Sequence, residues 1–130
     1  MSLDIINHIE LPVKDADRSL RFYEAALAPL GLVLAISTTR SLNGGARYGF
    51  GKDGYPSVWV HEEPGAKLPV HVAFTAGDRA AVRKFYTAAL AGGGTDNGGP
   101  AIRERYHSNY FAAYVLDPDG NNIEAVCQST

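Results

Sequence analysis

At 130 residues the chain is sized for one domain and is long enough to bury a core without a disulfide or metal staple. Hydrophobic residues at 45% and charged residues at 20% are globular values, which excludes disordered, collagenous and coiled-coil architectures. A net charge of -2 with no basic stripe argues against nucleic acid or membrane as partners and favours a small molecule, while a single cysteine, Cys127, excludes a disulfide framework and a Cys-rich zinc site.

No apolar run approaches the roughly 20 residues of a spanning helix, and the N-terminus lacks the charged-then-apolar order of a signal peptide, so a cytoplasmic location is expected. The chain also repeats itself. HIELPVKDADRSLRFYEAAL at 8–27 aligns without a gap on HVAFTAGDRAAVRKFYTAAL at 71–90, a constant offset of 63 residues. A unit of this kind cannot cover its own apolar face and is stabilised by pairing with its copy.

In chain order, the first unit (about 5–63) opens on a strand with Ile9, Leu11 and Val13 on one face and His8 on the other. An Asp then precedes a helix whose stripe is Leu20, Tyr23, Leu27 and Leu30, ended by Gly31. Strands over 32–38, 46–51 and 56–61 follow, separated by turns at Asn43-Gly44-Gly45 and Lys52-Asp53-Gly54. The second unit (about 69–127) repeats the plan. Val72, Phe74 and Ala76 alternate in its first strand, His71 points the other way, and Val82, Phe85, Tyr86, Ala89 and Leu90 stripe its helix. The glycines at 92–94 end that helix, and strands over 110–116 and 121–127 flank the tight turn Asp117-Pro118-Asp119-Gly120. The expected class is α+β: tandem β-α-β-β-β units forming a curved mixed sheet around a cavity, with both helices on the outer face. In the last strand, Ile123, Ala125 and Cys127 form the helix-facing series, which turns Asn122, Glu124 and Val126 towards the hollow. A carboxylate such as Glu124 on that strand is costly to bury unless it is paired, protonated or bound to metal.

His8 before a FYEAAL helix, His71 opening HVAF, and the terminal VLDPDGNNIEAV together resemble the vicinal oxygen chelate superfamily of glyoxalase I, bleomycin-resistance proteins, fosfomycin-resistance thiol transferases and extradiol dioxygenases. The resemblance covers Ile6 to Val126. It implies metal ligands at His8, His71 and Glu124, holding a divalent ion (Zn, Mn, Fe, Co or Ni) with positions open to a substrate bearing neighbouring oxygens. Aligning Val58-Trp59-Val60 with Ile123-Glu124-Ala125 puts Trp59 where glyoxalase I would carry a second carboxylate. That departure weakens the glyoxalase reading specifically, and leaves lyase or isomerase, dioxygenase and thiol transferase chemistry open. Half-barrels in this superfamily often pair between chains, so a homodimer is consistent with the sequence, and the site falls within one chain or across two.

Strand parity puts His61 on the same side as Trp59, as a replacement ligand or base, or else as an exposed rim residue beside Glu62, Glu63 and Pro64. The polar, aromatic stretch from Arg103 to Tyr110 leads into the strand opposite Glu124. Within it, Arg105, Tyr106 and Tyr110 are candidate substrate contacts and His107 a candidate acid-base group, its reference pKa being near neutrality; the alternative is a loop that roofs the core. Trp59 either fills the hollow or floors it for an aromatic ligand. The leading expectation is therefore a mononuclear divalent-metal enzyme for a small oxygen-rich substrate, with catalytic Glu124 and His107. A metal-free protein that binds an aromatic or peptide-like compound is its rival, and an interaction module with a blocked cavity is a third reading.

Overall fold

The computed structural model describes residues 6–38, 45–65 and 69–129; Asn43 and Gly44 of the expected first turn lie outside them. The first unit runs β1 (Ile9–Val13), α1 (Ala16–Leu27), β2 (Val33–Thr38), β3 (Arg47–Lys52) and β4 (Tyr55–Glu62). The second runs β5 (His71–Thr75), α2 (Arg79–Ala91), two short strands β6 (Thr95–Asp96) and β7 (Ala101–Ile102), then β8 (Phe111–Leu116) and β9 (Asn122–Cys127). Where the repeat leads one to expect a single second strand in this unit, two fragments stand in its place. Gly98, at φ +143°, lies between the two fragments and turns the chain there, although Asn97 and Gly98 still exchange backbone hydrogen bonds with Tyr114 of β8 at 3.0 and 2.8 Å.

The helices begin alike because the repeated Asp caps each of them. Asp15 accepts a hydrogen bond from the Arg18 backbone N–H at 3.1 Å and Asp78 from that of Ala81 at 2.7 Å, satisfying a donor that the first helical turn leaves unpaired. After a single 3-10 turn at Ala28–Leu30, Gly31 stops the first helix in the left-handed region at φ +84°.

Two mixed sheets result, ordered β1-β4-β3-β2 and β5-β9-β8-β6, with β7 also pairing β8. In each, the first strand pairs the last in parallel and lies at the sheet edge. One apolar core joins the units, with Phe22, Leu27 and Val60 of the first packed in the same cluster as Phe85, Val115 and Ile123 of the second. The parity assigned to the last strand holds: Ile123, Ala125 and Cys127 lie in this core, whereas Val126 packs with Ala112 and Tyr114 on the opposite face. A polar tie also crosses between units. Tyr23 of α1, fully buried, donates to Asp117 Oδ2 at 2.6 Å in the turn between β8 and β9. That turn closes as expected, with the Gly120 N–H donating to the Asp117 carbonyl at 2.9 Å. No helix among the described residues is long and apolar enough to cross a membrane.

Candidate functional site

The open face of the second sheet carries a buried carboxylate, Glu124. Glu124 pairs across the ladder with Ala73 of β5 and with Tyr114 of β8, and only 2% of it is exposed. Both of its oxygens are engaged. His71 Nε2 lies 2.8 Å from Oε1, and the Tyr110 hydroxyl donates to Oε2 at 2.5 Å. Parallel pairing explains the first contact, because His71 and Ala73 alternate onto the same face of β5 and Glu124 sits opposite Ala73. The His71 side chain remains 54% exposed. Burial, then the hydrogen bond to Glu124, pushes the Tyr110 phenol well above its ordinary value, so it stays a proton donor. Tyr114 is raised too, by burial first and then by the Glu124 charge.

The loop from Arg103 to Tyr110 lies over this face. Arg103 spans it, its guanidinium 5.1 Å from the Tyr114 ring centroid and its Nη2 donating to the carbonyls of Gly99 and Ala112. Arg105 sits 5.1 Å over the ring of Tyr106, and Tyr106 packs 4.7 Å from Tyr110. His107 has both ring nitrogens engaged within the chain: Nδ1 accepts from the Asn109 N–H at 3.1 Å, which leaves Nε2 to donate to Gln128 at 2.9 Å. These contacts make His107 a brace for the loop. Arg103 opens the stretch that the sequence already singles out, whereas Tyr114 is a member of this face that sequence reasoning passed over, although parity made it accessible, four residues beyond Tyr110.

The first sheet presents a different face. Trp59 lies opposite Glu10, two residues beyond His8, just as Glu124 lies opposite Ala73, two residues beyond His71, so Trp59 does occupy the position equivalent to Glu124. No side chain stands opposite it on β3, where Gly49 leaves room for the indole. The Arg47 guanidinium lies 3.7 Å over the Trp59 ring while its Nε and Nη2 donate to Glu10 at 3.0 and 2.9 Å. His61 is on this face, with Nδ1 2.8 Å from Glu10 Oε2, and is half-buried. The hydrogen bond from Arg47 holds Glu10 below the usual carboxylate range, against an opposing effect of burial, with further help from the Arg47 and His61 charges. Glu10 and Arg47 were not anticipated from the sequence.

A cavity of about 780 Å³ separates the two edge strands β1 and β5, walled by His8, Leu11, Leu32, His71 and Phe74 among others. His8 and His71 thus line one cavity, but Nδ1 of His8 is engaged with the side-chain oxygen Oδ1 of Asn7 at 2.8 Å, which also accepts from the Tyr55 hydroxyl at 2.7 Å. Among the described residues no three His, Cys, Asp or Glu side chains converge as a ligand set. The 2.8 Å between His71 Nε2 and Glu124 Oε1 is close to the roughly 3.0 Å between adjacent donors of an octahedral ion with bonds of about 2.1 Å, and shorter than the roughly 3.4 Å of a tetrahedral one. That pair therefore fits two adjacent ligand positions, and His8 is not joined to it within the chain.

The profile of the Glyoxalase/Bleomycin resistance protein/Dioxygenase superfamily matches residues 5–125. Among solved structures, a glyoxalase/bleomycin resistance protein from Albidiferax ferrireducens is similar with a TM-score of 0.76 at 24% identity, over 97% of this chain and 100% of that one. A glyoxylase/bleomycin resistance protein/dioxygenase domain from Frankia sp. gives 0.73 at 17% identity, over 98% and 100%. A glyoxalase I variant from Zea mays gives 0.70 at 22% identity, over 93% of this chain and 46% of that one. No protein of curated function matches.

Proposed function

Since the chain belongs to the Glyoxalase/Bleomycin resistance protein/Dioxygenase superfamily, we propose that it is a divalent-metal enzyme for a small oxygen-rich molecule, with His71, Glu124 and His8 as the metal's ligands. The observation that carries the reading is the buried Glu124, one oxygen fixed by Tyr110 and the other set against an accessible imidazole. A bound ion would supply Lewis-acid stabilisation of negative charge developing on a substrate oxygen. The chain's own residues do the rest. Tyr110 keeps the carboxylate oriented, His71 offers its nitrogen at the cavity wall, and the apolar strand edges exclude water from the body of the substrate. His8, engaged with Asn7 in the single chain, completes the ligand set when two copies associate.

The test is metal binding by wild type, by His71→Ala and by His8→Ala, each purified without chelator and then titrated with Zn²⁺ and Mn²⁺. Wild type should take up one ion per chain and each variant should lose it. Mixing and refolding the two variants together should restore a share of the sites, because a mixed dimer unites the intact His8 of one copy with the intact His71 of the other. Absence of binding by wild type refutes the metal reading, and absence of rescue refutes the shared site.

A second reading rests on Trp59. The acid position of the first unit is filled by an indole stacked under Arg47, which suits a metal-free protein that binds a flat aromatic compound. It prevails if metals leave the melting temperature unchanged while an aromatic ligand raises it.

A further inference from the structure

The His71–Glu124 pair has a third member whose part in the site the sequence did not disclose. Each oxygen of Glu124 has one side-chain partner, His71 on Oε1 and the Tyr110 hydroxyl on Oε2. Tyr110 is itself fixed from several directions. Its ring packs on Tyr106 at 4.7 Å and meets His107 edge-on at 5.6 Å. Its N–H donates to the His107 carbonyl at 3.2 Å, and its carbonyl accepts from the Arg103 N–H at 2.7 Å. His107 is tied in turn to Gln128, just beyond the end of β9, which carries Glu124. The hydroxyl is therefore held at the carboxylate by the loop and by the end of the neighbouring strand.

We propose that Tyr110 is a positioning residue. By occupying Oε2 it turns Oε1 alone towards His71 and towards whatever that pair holds, so that Glu124 acts through one oxygen. A carboxylate with both oxygens free would close on an ion with two bonds and fill a position otherwise left for substrate. Tyr110 in this role does not contact the substrate, in contrast to the contact expected from the sequence. The inference rests on the His71–Glu124 pair being the working site, yet its central statement concerns the pair's geometry in the protein without any ligand.

Tyr110→Phe removes the hydroxyl and keeps the ring between Tyr106 and His107. Two readouts separate positioning from simple stability. The first is the ring-nitrogen NMR signals of the four histidines in the metal-free protein; the second is Co²⁺ affinity by titration. In the variant the His71 signals should move while those of His8 and His61 stay, and Co²⁺ affinity should fall roughly 10- to 100-fold, the usual effect of losing a group that orients a ligand. Tyr106→Leu, which keeps the hydroxyl but removes its brace, should shift the same His71 signals by less, and it carries the test should Tyr110→Phe not fold. Unmoved His71 signals overturn the proposal even if the variant melts earlier, since a merely structural hydroxyl would lower the melting temperature too. If neither wild type nor variant binds Co²⁺, the metal reading falls while the histidine signals still decide the role of Tyr110.

Discussion

Replacing Tyr23 by Phe isolates the polar tie between the two units. The Tyr23 hydroxyl, with 0% of the residue exposed, donates to Asp117 Oδ2 at 2.6 Å. A hydrogen bond to a charged acceptor is worth about 1.5–3 kcal/mol. The lower end applies, because Asp117 is not orphaned by the change: Oδ2 keeps the Asn121 side-chain amide at 2.9 Å, and Oδ1 keeps the Asp119 and Asn121 N–H groups at 2.9 and 2.8 Å. Tyr23→Phe should therefore cost about 1.5 kcal/mol, or roughly 5 °C in melting temperature for a domain of this size. Urea unfolding is the assay, with Tyr48→Phe as the control, since Tyr48 makes a longer, exposed bond to Asp17 at 3.2 Å. The control should lose less than about 0.5 kcal/mol. Equal losses in the two variants would refute the claim that the buried tie couples the units. The same bond has a pH signature. Burial, followed by the Asp117 charge and hydrogen bond, raises the Tyr23 pKa well above its ordinary value of 10.0. A folded-state pKa above the unfolded one means stability that is complete below pH ~10 and declines as pH rises further, by up to about 1.4 kcal/mol per pH unit for one group. Tyr23→Phe should flatten that alkaline decline.

Three other outcomes follow from the geometry. Gly51→Ala should abolish soluble, folded protein, because its new Cβ would lie 1.6 Å from the Tyr55 carbonyl oxygen; Gly54→Ala, in open space at φ +80°, should cost only about 1–2 kcal/mol, and comparable expression and melting of the two variants would contradict this. Arg47→Ala should red-shift the emission of Trp59, the sole tryptophan, while changing stability by less than about 1 kcal/mol, since the pair is partly solvated; unchanged emission would argue against the stack. Glu10 has a lowered folded-state pKa, so its contribution is complete above its ordinary value of 4.5 and is lost as pH falls through the lower folded value. Trp59 emission in wild type should accordingly hold steady down to pH 4.5 and shift only below it, and a shift centred near neutrality would disprove the assignment to Glu10.

The repeat made most of the fold legible. A gapless 20-residue match placed strand, Asp cap and helix twice, and alternation along β9 separated Ile123, Ala125 and Cys127 from Glu124. What the repeat could not show was where the copies differ. Gly98 reads as a turn residue in isolation, and only its positive φ angle shows that it interrupts the chain between β6 and β7. Partnerships across strands were hidden for another reason. That Arg47 faces His61 and stacks on Trp59 depends on the register between β3 and β4, which carries a bulge between Phe50 and Gly51. The acceptor of His107 was hidden likewise, since Gln128 lies 21 residues away.

The two sheets have put equivalent positions to opposite uses, which bears on how many sites an assembly would hold. In the first unit the acid has moved to Glu10, on the neighbouring strand, where Arg47 neutralises it and the equivalent of Glu124 is an indole. That face is electrostatically closed: its anion already has a guanidinium fork and an imidazole. In the second unit the acid has an imidazole and a phenol, neither of which is a permanent cation. A buried carboxylate so partnered retains a demand for positive charge that a divalent ion would meet. On the proposed reading each chain then supplies one acid and two imidazoles from separate units. A symmetric pair of copies would build two equal sites, each with the carboxylate of one copy and the His8 of the other, and one ion per chain is the stoichiometry that this arrangement requires.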